Sequence, residues 1–221
     1  MNVLFVEVEM ERNWSVASIG PSCLASYVTQ FGHKVELLSI PIDQKLEDIY
    51  PEILQRNPDV LAFSLTSRQW LRAKEIGNSL RKLQVIPTIA GGLHPTFAAE
   101  EVLEAVGFDY VCLGGGEGAF LEFLDTLEKG HKIQNIDNIQ CKGEAKPKLR
   151  APYEDLNELP FMDRSFLNEQ HGVVHMVTQR GCPFSCSYCA ARMYNEMYGT
   201  KVYGRRRSID NVFKEFVDIQ S

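Results

Sequence analysis

The hydrophobic pattern divides the chain into two unequal stretches. Through residues 1–145, short apolar, β-branched runs at 3–8, 35–40, 60–65, 86–90 and 110–113 alternate with longer segments at 22–31, 46–56, 70–83, 98–106 and 119–129. In the longer segments the apolar residues recur at helical spacing. The short runs are mostly apolar rather than strictly alternating, which predicts buried strands. Five β-α units in succession predict an α/β domain built on a doubly wound, five-stranded parallel sheet. Ligands of such sheets bind at the carboxyl ends of the strands. Glycines collect there: Gly91 and Gly92 after the fourth strand, and Gly114, Gly115, Gly116 and Gly118 after the fifth.

The pattern then changes. Residues 134–150 are polar and lysine-containing, with a possible strand at 138–141. Residues 151–160, with two prolines and several acids, predict an extended linker. The expected organisation is a first domain at 1–145, a linker at 146–170 and the start of a second domain at 171–221. That second domain opens with an apolar run at 173–178, predicted as a strand. A cysteine-rich loop follows, and then a helix capped by Ser208 with Val212, Phe213, Phe216 and Val217 as its apolar stripe.

Composition narrows the class. The 221 residues are 44% hydrophobic and 24% charged, as expected of a globular protein with a sizeable core. The net charge of −6 argues against a nucleic-acid partner. No uninterrupted apolar run reaches the length of a membrane span. The N-terminus lacks the basic start of a signal peptide, and Glu7 breaks its apolar run, so the expected location is cytoplasmic.

Of six cysteines, Cys23, Cys112 and Cys141 stand singly, whereas Cys182, Cys186 and Cys189 fall within eight residues. In a reducing compartment such a cluster points to metal or redox chemistry rather than disulfides. Three thiolates suit three corners of a 4Fe–4S cubane, leaving one iron open, whereas an electron-transfer cluster usually takes four. The same spacing also suits zinc, with His171 or His175 as a fourth ligand. The basic residues around the loop (Arg180, Arg192, Lys201, Arg205, Arg206 and Arg207) could attract anions or simply form a solvated face.

The Cys-x3-Cys-x2-Cys spacing, with aromatic Tyr188 before the last cysteine, resembles the radical S-adenosylmethionine (SAM) signature. The resemblance implies that Cys182, Cys186 and Cys189 hold the 4Fe–4S cluster and that Tyr188 lies against the SAM adenine. It implies that the reduced cluster cleaves SAM to methionine and a 5′-deoxyadenosyl radical, with a flavodoxin or ferredoxin as electron donor. The stretch Gly91-Gly92-Leu93-His94-Pro95-Thr96-Phe97, the helix start Gly20-Pro21-Ser22-Cys23 and the linker Asp155-Leu156-Asn157-Glu158-Leu159-Pro160 are similar to cobalamin-binding radical SAM enzymes of the anaerobic magnesium-protoporphyrin ester cyclase type. This implies a cobalamin-binding, flavodoxin-like or Rossmann-like first domain. Behind it would come the first β-α unit of a partial (β/α) radical SAM barrel. The candidate cobalamin contacts are Ser64, Thr66, Gly91, Gly92, His94, Gly115, Gly116 and Glu117.

Two of these have a competing role. Thr66 sits where the next helix would be capped, and His94 could bond the backbone beside Pro95 instead of approaching cobalt. The loop after the first strand, residues 9–15, has no histidine, so no protein imidazole is expected below the cobalt. The expected function is methylation or cyclisation of an unactivated carbon in a small molecule. Two alternatives stand beside it: a cobalamin carrier or sensor with a zinc-binding or vestigial cysteine loop, and a radical SAM enzyme whose first domain is a cobalamin-free scaffold. The chain is expected to be a fragment, or to be completed by another polypeptide, and to be inactive alone.

Overall fold

The computed structural model describes residues 1–10, 18–167, 174–199 and 204–220. Its first part runs β1 (Asn2–Glu9), α1 (Ile19–Thr29), β2 (Lys34–Pro41), α2 (Leu46–Gln55), β3 (Val60–Ser64), α3 (Ser67–Leu80) and β4 (Thr88–Gly91). Two short helices follow, α4 (Leu93–Phe97) and α5 (Ala99–Glu104), then β5 (Tyr110–Cys112), α6 (Glu117–Glu128) and β6 (Ile139–Cys141). The sheet order is β2-β1-β3-β4-β5-β6.

The first five strands pair in parallel, as their continuous apolar character predicts. Residues on alternate sides of each strand feed two cores. Leu4, Val6, Leu61 and Phe63 pack under α2, α3 and α5. Val3, Phe5, Val60 and Ala62 pack under α1 and α6. Phe108, wholly buried, meets Phe63 at 5.3 Å and Trp70 at 5.4 Å between ring centroids.

The possible strand at 138–141 forms as β6 and joins the expected five parallel strands as a sixth, antiparallel to β5. The cause is the connection after α6. Asn135 and Asn138 take positive φ, of 56° and 70°, conformations that asparagine tolerates better than most residues. The chain thereby climbs back to the carboxyl end of β5 before descending along it, with Ile139 opposite Cys112. The added strand covers what would be an open edge.

The segment expected to be an extended linker lies against α1. Ser22 Oγ donates to the Asp163 carbonyl at 2.6 Å, and Asp163 N–H donates to the Ser22 carbonyl at 3.2 Å. Leu156, Met162, Phe166 and Leu167 are buried along it. Two single 3-10 turns shape the strap, at Leu156–Glu158 and Arg164–Phe166; the Asp155 and Asp163 carboxylates accept from Asn157 N–H and Ser165 N–H at their starts.

The last part holds β7 (Gln179–Arg180), α7 (Ala190–Tyr198), β8 (Arg205–Arg206) and α8 (Ile209–Gln220), with β7 and β8 antiparallel. The strand expected at 173–178 does not form across its described residues; the two-residue β7 begins only at Gln179. Residues 174–178 have no ladder partner, and residue 173 lies outside the described residues. Side chains satisfy carbonyls there instead: Arg164 donates to the His175 carbonyl at 2.8 Å and Arg207 to the Val177 carbonyl at 3.0 Å. Both arginines also pair with the buried carboxylate of Glu215 on α8. Among the described residues no helix is long and apolar enough to cross a membrane.

Candidate functional site

Everything of chemical interest gathers at the carboxyl ends of β3, β4 and β5. The turn after β4 requires glycine. Gly92 has φ of 94°, and a Cβ there would lie 2.8 Å from the backbone N and O of Leu65. That close approach lets Leu65 N–H donate to the Gly91 carbonyl at 2.8 Å while His94 N–H donates to the Leu65 carbonyl at 3.0 Å. The β3 and β4 loops are thereby locked together. After β5, Gly114 has φ of 70°, and a Cβ there would collide with the Tyr198 hydroxyl. Gly115 N–H donates to that hydroxyl at 3.0 Å, and the Gly115 carbonyl accepts from Asn138 Nδ2 at 2.9 Å.

Two cavities open from these loops. An outer cleft of about 920 Å³ has the Gly114–Gly118 loop and Leu93 on one wall. On the other are Arg180, Cys182, Tyr188, Cys189, Tyr194 and Tyr198. An inner cavity of about 320 Å³ runs down into the sheet between α1 and α6. Its lining is mostly apolar, including Phe5, Leu24, Ala62, Ile89 and Phe120, with Ser64, Gly91 and Gly92 at its side.

The cysteine loop approaches this site as one wall of the outer cleft. Cys189 precedes the first residue of α7, and its N–H donates to the Cys186 carbonyl at 3.2 Å, which bends the loop into a turn. Asn195 holds the other end, donating to the Cys182 carbonyl at 3.2 Å. Cys182 and Cys186 are half-buried, Cys189 is exposed, and all three are free thiols. Tyr188 is 90% exposed beside the cleft. The three sulfurs do not all lie within 4.8 Å of one another. Three thiolates on one tetrahedral zinc would stand about 3.8 Å apart at ordinary Zn–S lengths. His171, one of the residues considered as a fourth zinc ligand, lies outside the described residues, as does Lys201. Among the described residues, the trio that does come within 4.8 Å is His33, Asp125 and Glu128. There His33 already bonds Asp125 at 3.0 Å and the N-terminal amine at 3.2 Å.

The isolated cysteines differ in kind. Burial pushes the Cys112 thiol up to about 12 and the Cys141 thiol up to about 11. Burial also raises Cys23, against the lowering influence of Arg180. These three are protonated packing residues at neutral pH.

Of the eight candidate contacts, six line one or both cavities: Ser64, Gly91, Gly92, Gly115, Gly116 and Glu117. Thr66 and His94 line neither. Thr66 precedes α3, where its N–H and hydroxyl both donate to Gln69 Oε1, at 2.8 and 2.9 Å. His94 stacks on Trp70 at 5.1 Å, with Nδ1 3.2 Å from Ser67 Oγ. Burial lowers its pKa, against the opposing pull of Glu101, which favours the neutral ring at pH 7. The cysteine loop and the six contacts thus share one site, and the remaining two lie beside it.

Sequence reasoning passed over two tyrosines of this site and the pairing of Arg180 with Glu117. Tyr194 and Tyr198 stand four apart on α7, a spacing that places both on one helix face. Tyr194 packs edge-on against Phe97 at 5.2 Å, docking α7 onto α4. Arg180 pairs with buried Glu117 at 2.5 Å, joining the residue before Gly181-Cys182 to the start of α6. Arg205 lies near enough that, after burial, repulsion from Arg180 is what most lowers its pKa. The i,i+4 tyrosines were a readable signal; the Arg180–Glu117 pair spans 63 residues and had none.

Comparison with known proteins points the same way. The B12 binding domain family matches residues 14–124. An uncharacterized methyltransferase of Pyrococcus horikoshii is 26% identical over 89% of this chain, and the match spans 44% of that relative. The anaerobic magnesium-protoporphyrin IX monomethyl ester cyclase of Rubrivivax gelatinosus is 24% identical over 86% of this chain, across 38% of its own length. The chain therefore spans less than half the length of these relatives. Among solved structures, the cobalamin-dependent SAM radical enzyme OxsB, with aqua-cobalamin and SAM bound, superposes with a TM-score of 0.78. It is 22% identical, and the match covers 99% of this chain and 31% of that one. With the family match extending over half its residues, the fold to go with it and ligand-sized cavities at the ends of β3 to β5, the chain belongs to the B12 binding domain family.

Proposed function

We propose that this chain is the cobalamin-binding and cluster-binding portion of a radical SAM enzyme that methylates or cyclises an unactivated carbon of a small molecule. One observation carries the reading: the glycine loop after β5 and the two ends of the Cys182–Cys189 loop line a single cleft. Two cofactors that must act on one substrate need such a shared space.

The residues fit a corrinoid. The outer cleft, at about 920 Å³, has the volume for a large ring, and glycine backbone lines it at Gly114, Gly115 and Gly118. The inner cavity, apolar and slot-like between α1 and α6, suits the heteroaromatic base of a cobalamin tail. They also suit a cluster: three free thiols stand on one turn beside the cleft. When bound, the cluster would supply an electron to SAM and the corrinoid would supply a methyl-group carrier or second redox centre.

The chain's own residues hold and shape these sites. Cys182, Cys186 and Cys189 would ligate the cluster, and exposed Tyr188 offers its face to an adenine. Ser64 offers a hydroxyl to the inner ligand. Tyr194 and Tyr198 on α7 close one side of the cleft against water. The electron donor would be a flavodoxin or ferredoxin.

The test is anaerobic reconstitution of the 221-residue chain with iron and sulfide, followed by metal analysis, electron paramagnetic resonance and titration with hydroxocobalamin. The expected result is about four irons per chain, by the cubane stoichiometry, together with a SAM-sensitive signal in the reduced state and saturable corrinoid binding. Cys186→Ala should lose the iron and keep the corrinoid. Zinc without sulfide in the wild-type chain would sink the radical SAM reading. Failure to bind hydroxocobalamin would remove the corrinoid half.

A further inference from the structure

The outer cleft and the inner cavity meet at a narrow seam. Gly114, Gly115, Glu117 and Arg180 line both. Of these only Glu117 and Arg180 have side chains that reach a ligand, and they form a buried ion pair at 2.5 Å. A cobalamin with its ring in the outer cleft and its base in the inner cavity must thread the link between them through this seam. That link contains a phosphodiester, which carries one negative charge.

We propose that Arg180 is the phosphodiester-binding residue of the corrinoid tail and that Glu117 is the positioning residue that holds its guanidinium at the seam. The inference rests on the corrinoid reading above and deepens it. A guanidinium has five N–H donors in a flat fork. The Glu117 carboxylate and the neighbouring Cys23 thiol cannot use all of them. Arg180 lines both cavities, and apart from Glu117 their shared lining is Gly114 and Gly115, whose lack of side chains leaves room for a phosphate oxygen. An anion there would also relieve the repulsion between Arg180 and Arg205. Arg180 is separated from Cys182 only by Gly181. Filling the inner cavity would therefore steady the base of the cysteine loop, and the first cofactor would help to build the site of the second.

The experiment compares two corrinoids on the full chain: hydroxocobalamin, and cobinamide, which keeps the ring but lacks the phosphodiester, ribose and base. The base contributes equally to wild type and variant, so it cancels, and the comparison isolates what Arg180 does for the tail. Arg180→Gln is expected to weaken hydroxocobalamin about tenfold, the scale of one charge-assisted hydrogen bond, and to leave cobinamide within about twofold. Arg180→Lys keeps the charge without the fork and should fall between. Glu117→Gln should weaken hydroxocobalamin alone, by less than Arg180→Gln does. Equal weakening of both corrinoids by Arg180→Gln, or loss of both, would assign the pair a purely structural role and overturn the proposal. So would an unchanged hydroxocobalamin affinity. If the wild-type chain binds neither corrinoid, the underlying reading falls and this inference falls with it; if it binds both but Arg180 does not discriminate, only the inference fails.

Discussion

The sheet domain and the cysteine-loop region solve opposite problems with the same kinds of residue. In the first, the central strands β1, β3 and β4 are buried on both faces, and Phe63, Phe108 and Phe123 are wholly buried. In the second, α7 has no buried residue at all, and Phe213, Phe216 and Val217 on α8 are about half exposed or more. The sheet domain is held by apolar area. The cysteine-loop region is held by a few polar clasps: Arg164 and Arg207 on Glu215, Arg180 on Glu117, and Tyr198 on Gly115. Buried area is non-directional and tolerates redesign of surroundings, whereas clasps fix geometry and fail when one partner goes.

Truncating a core residue in each region should show the contrast most strongly. Phe108→Ala, which removes a ring packed between Phe63 and Trp70, is expected to cost about 3–5 kcal/mol in urea unfolding. Phe213→Ala, 64% exposed on α8, should change stability in the same chain by less than about 0.5 kcal/mol. A comparable loss at Phe213 would mean that α8 is packed in solution, and the distinction between the two regions would disappear.

The turn that joins the sheet domain to the cleft comes next in size. Gly92→Ala forces a side chain into a backbone conformation that only glycine occupies readily, against the Leu65 backbone at 2.8 Å. The expected cost is about 2–3 kcal/mol. Because the turn shapes the inner cavity, hydroxocobalamin affinity should fall with it. Gly130→Ala, where φ is 68° and nothing lies within 4 Å, should cost less. If both variants lose the same stability, the contact with Leu65 contributes nothing.

How far each region was legible follows from the same difference. Apolar runs and helical spacing are local signals, and they located β1 to β5 and their helices. The strand at 138–141 was readable, but its antiparallel place beside β5 depended on two asparagines adopting positive φ, which periodicity does not report. The strap across residues 151–167 was read as a tether because its prolines and acids are loud, while Met162, Phe166 and Leu167 are spaced too irregularly to signal burial. At the site, the cysteine trio and the glycine loops were visible because their residues are neighbours in sequence. Thr66 and His94 were grouped with them for the same reason, yet Thr66 serves Gln69 and His94 serves Trp70. The Arg180–Glu117 pair joins the two regions across the fold, and no local window contains both.

His94 offers the finest discrimination between sheet domain and cleft. Its ring belongs to the sheet domain, stacked on Trp70, with Nε2 buried and without a hydrogen-bond partner. Burial holds its folded-state pKa below the ordinary value of 6.5, so the unfolded chain takes up its proton first as pH falls. The stability that the neutral ring contributes is therefore full above pH 6.5 and is lost as pH drops from there toward the depressed folded value. His94→Phe keeps the stack on Trp70 and removes the titration, so its stability should lose part of the wild-type slope between pH 6.5 and 5. The slope should be shallow, because Glu101, 3.9 Å from Nε2, partly compensates a proton there. Urea midpoints measured across that window in parallel would decide it. Identical slopes in the two proteins would mean that the ring is solvated in both states and that the stack on Trp70 is loose. A steeper wild-type slope would place His94 with the sheet domain and not with the cysteine-loop wall of the cleft.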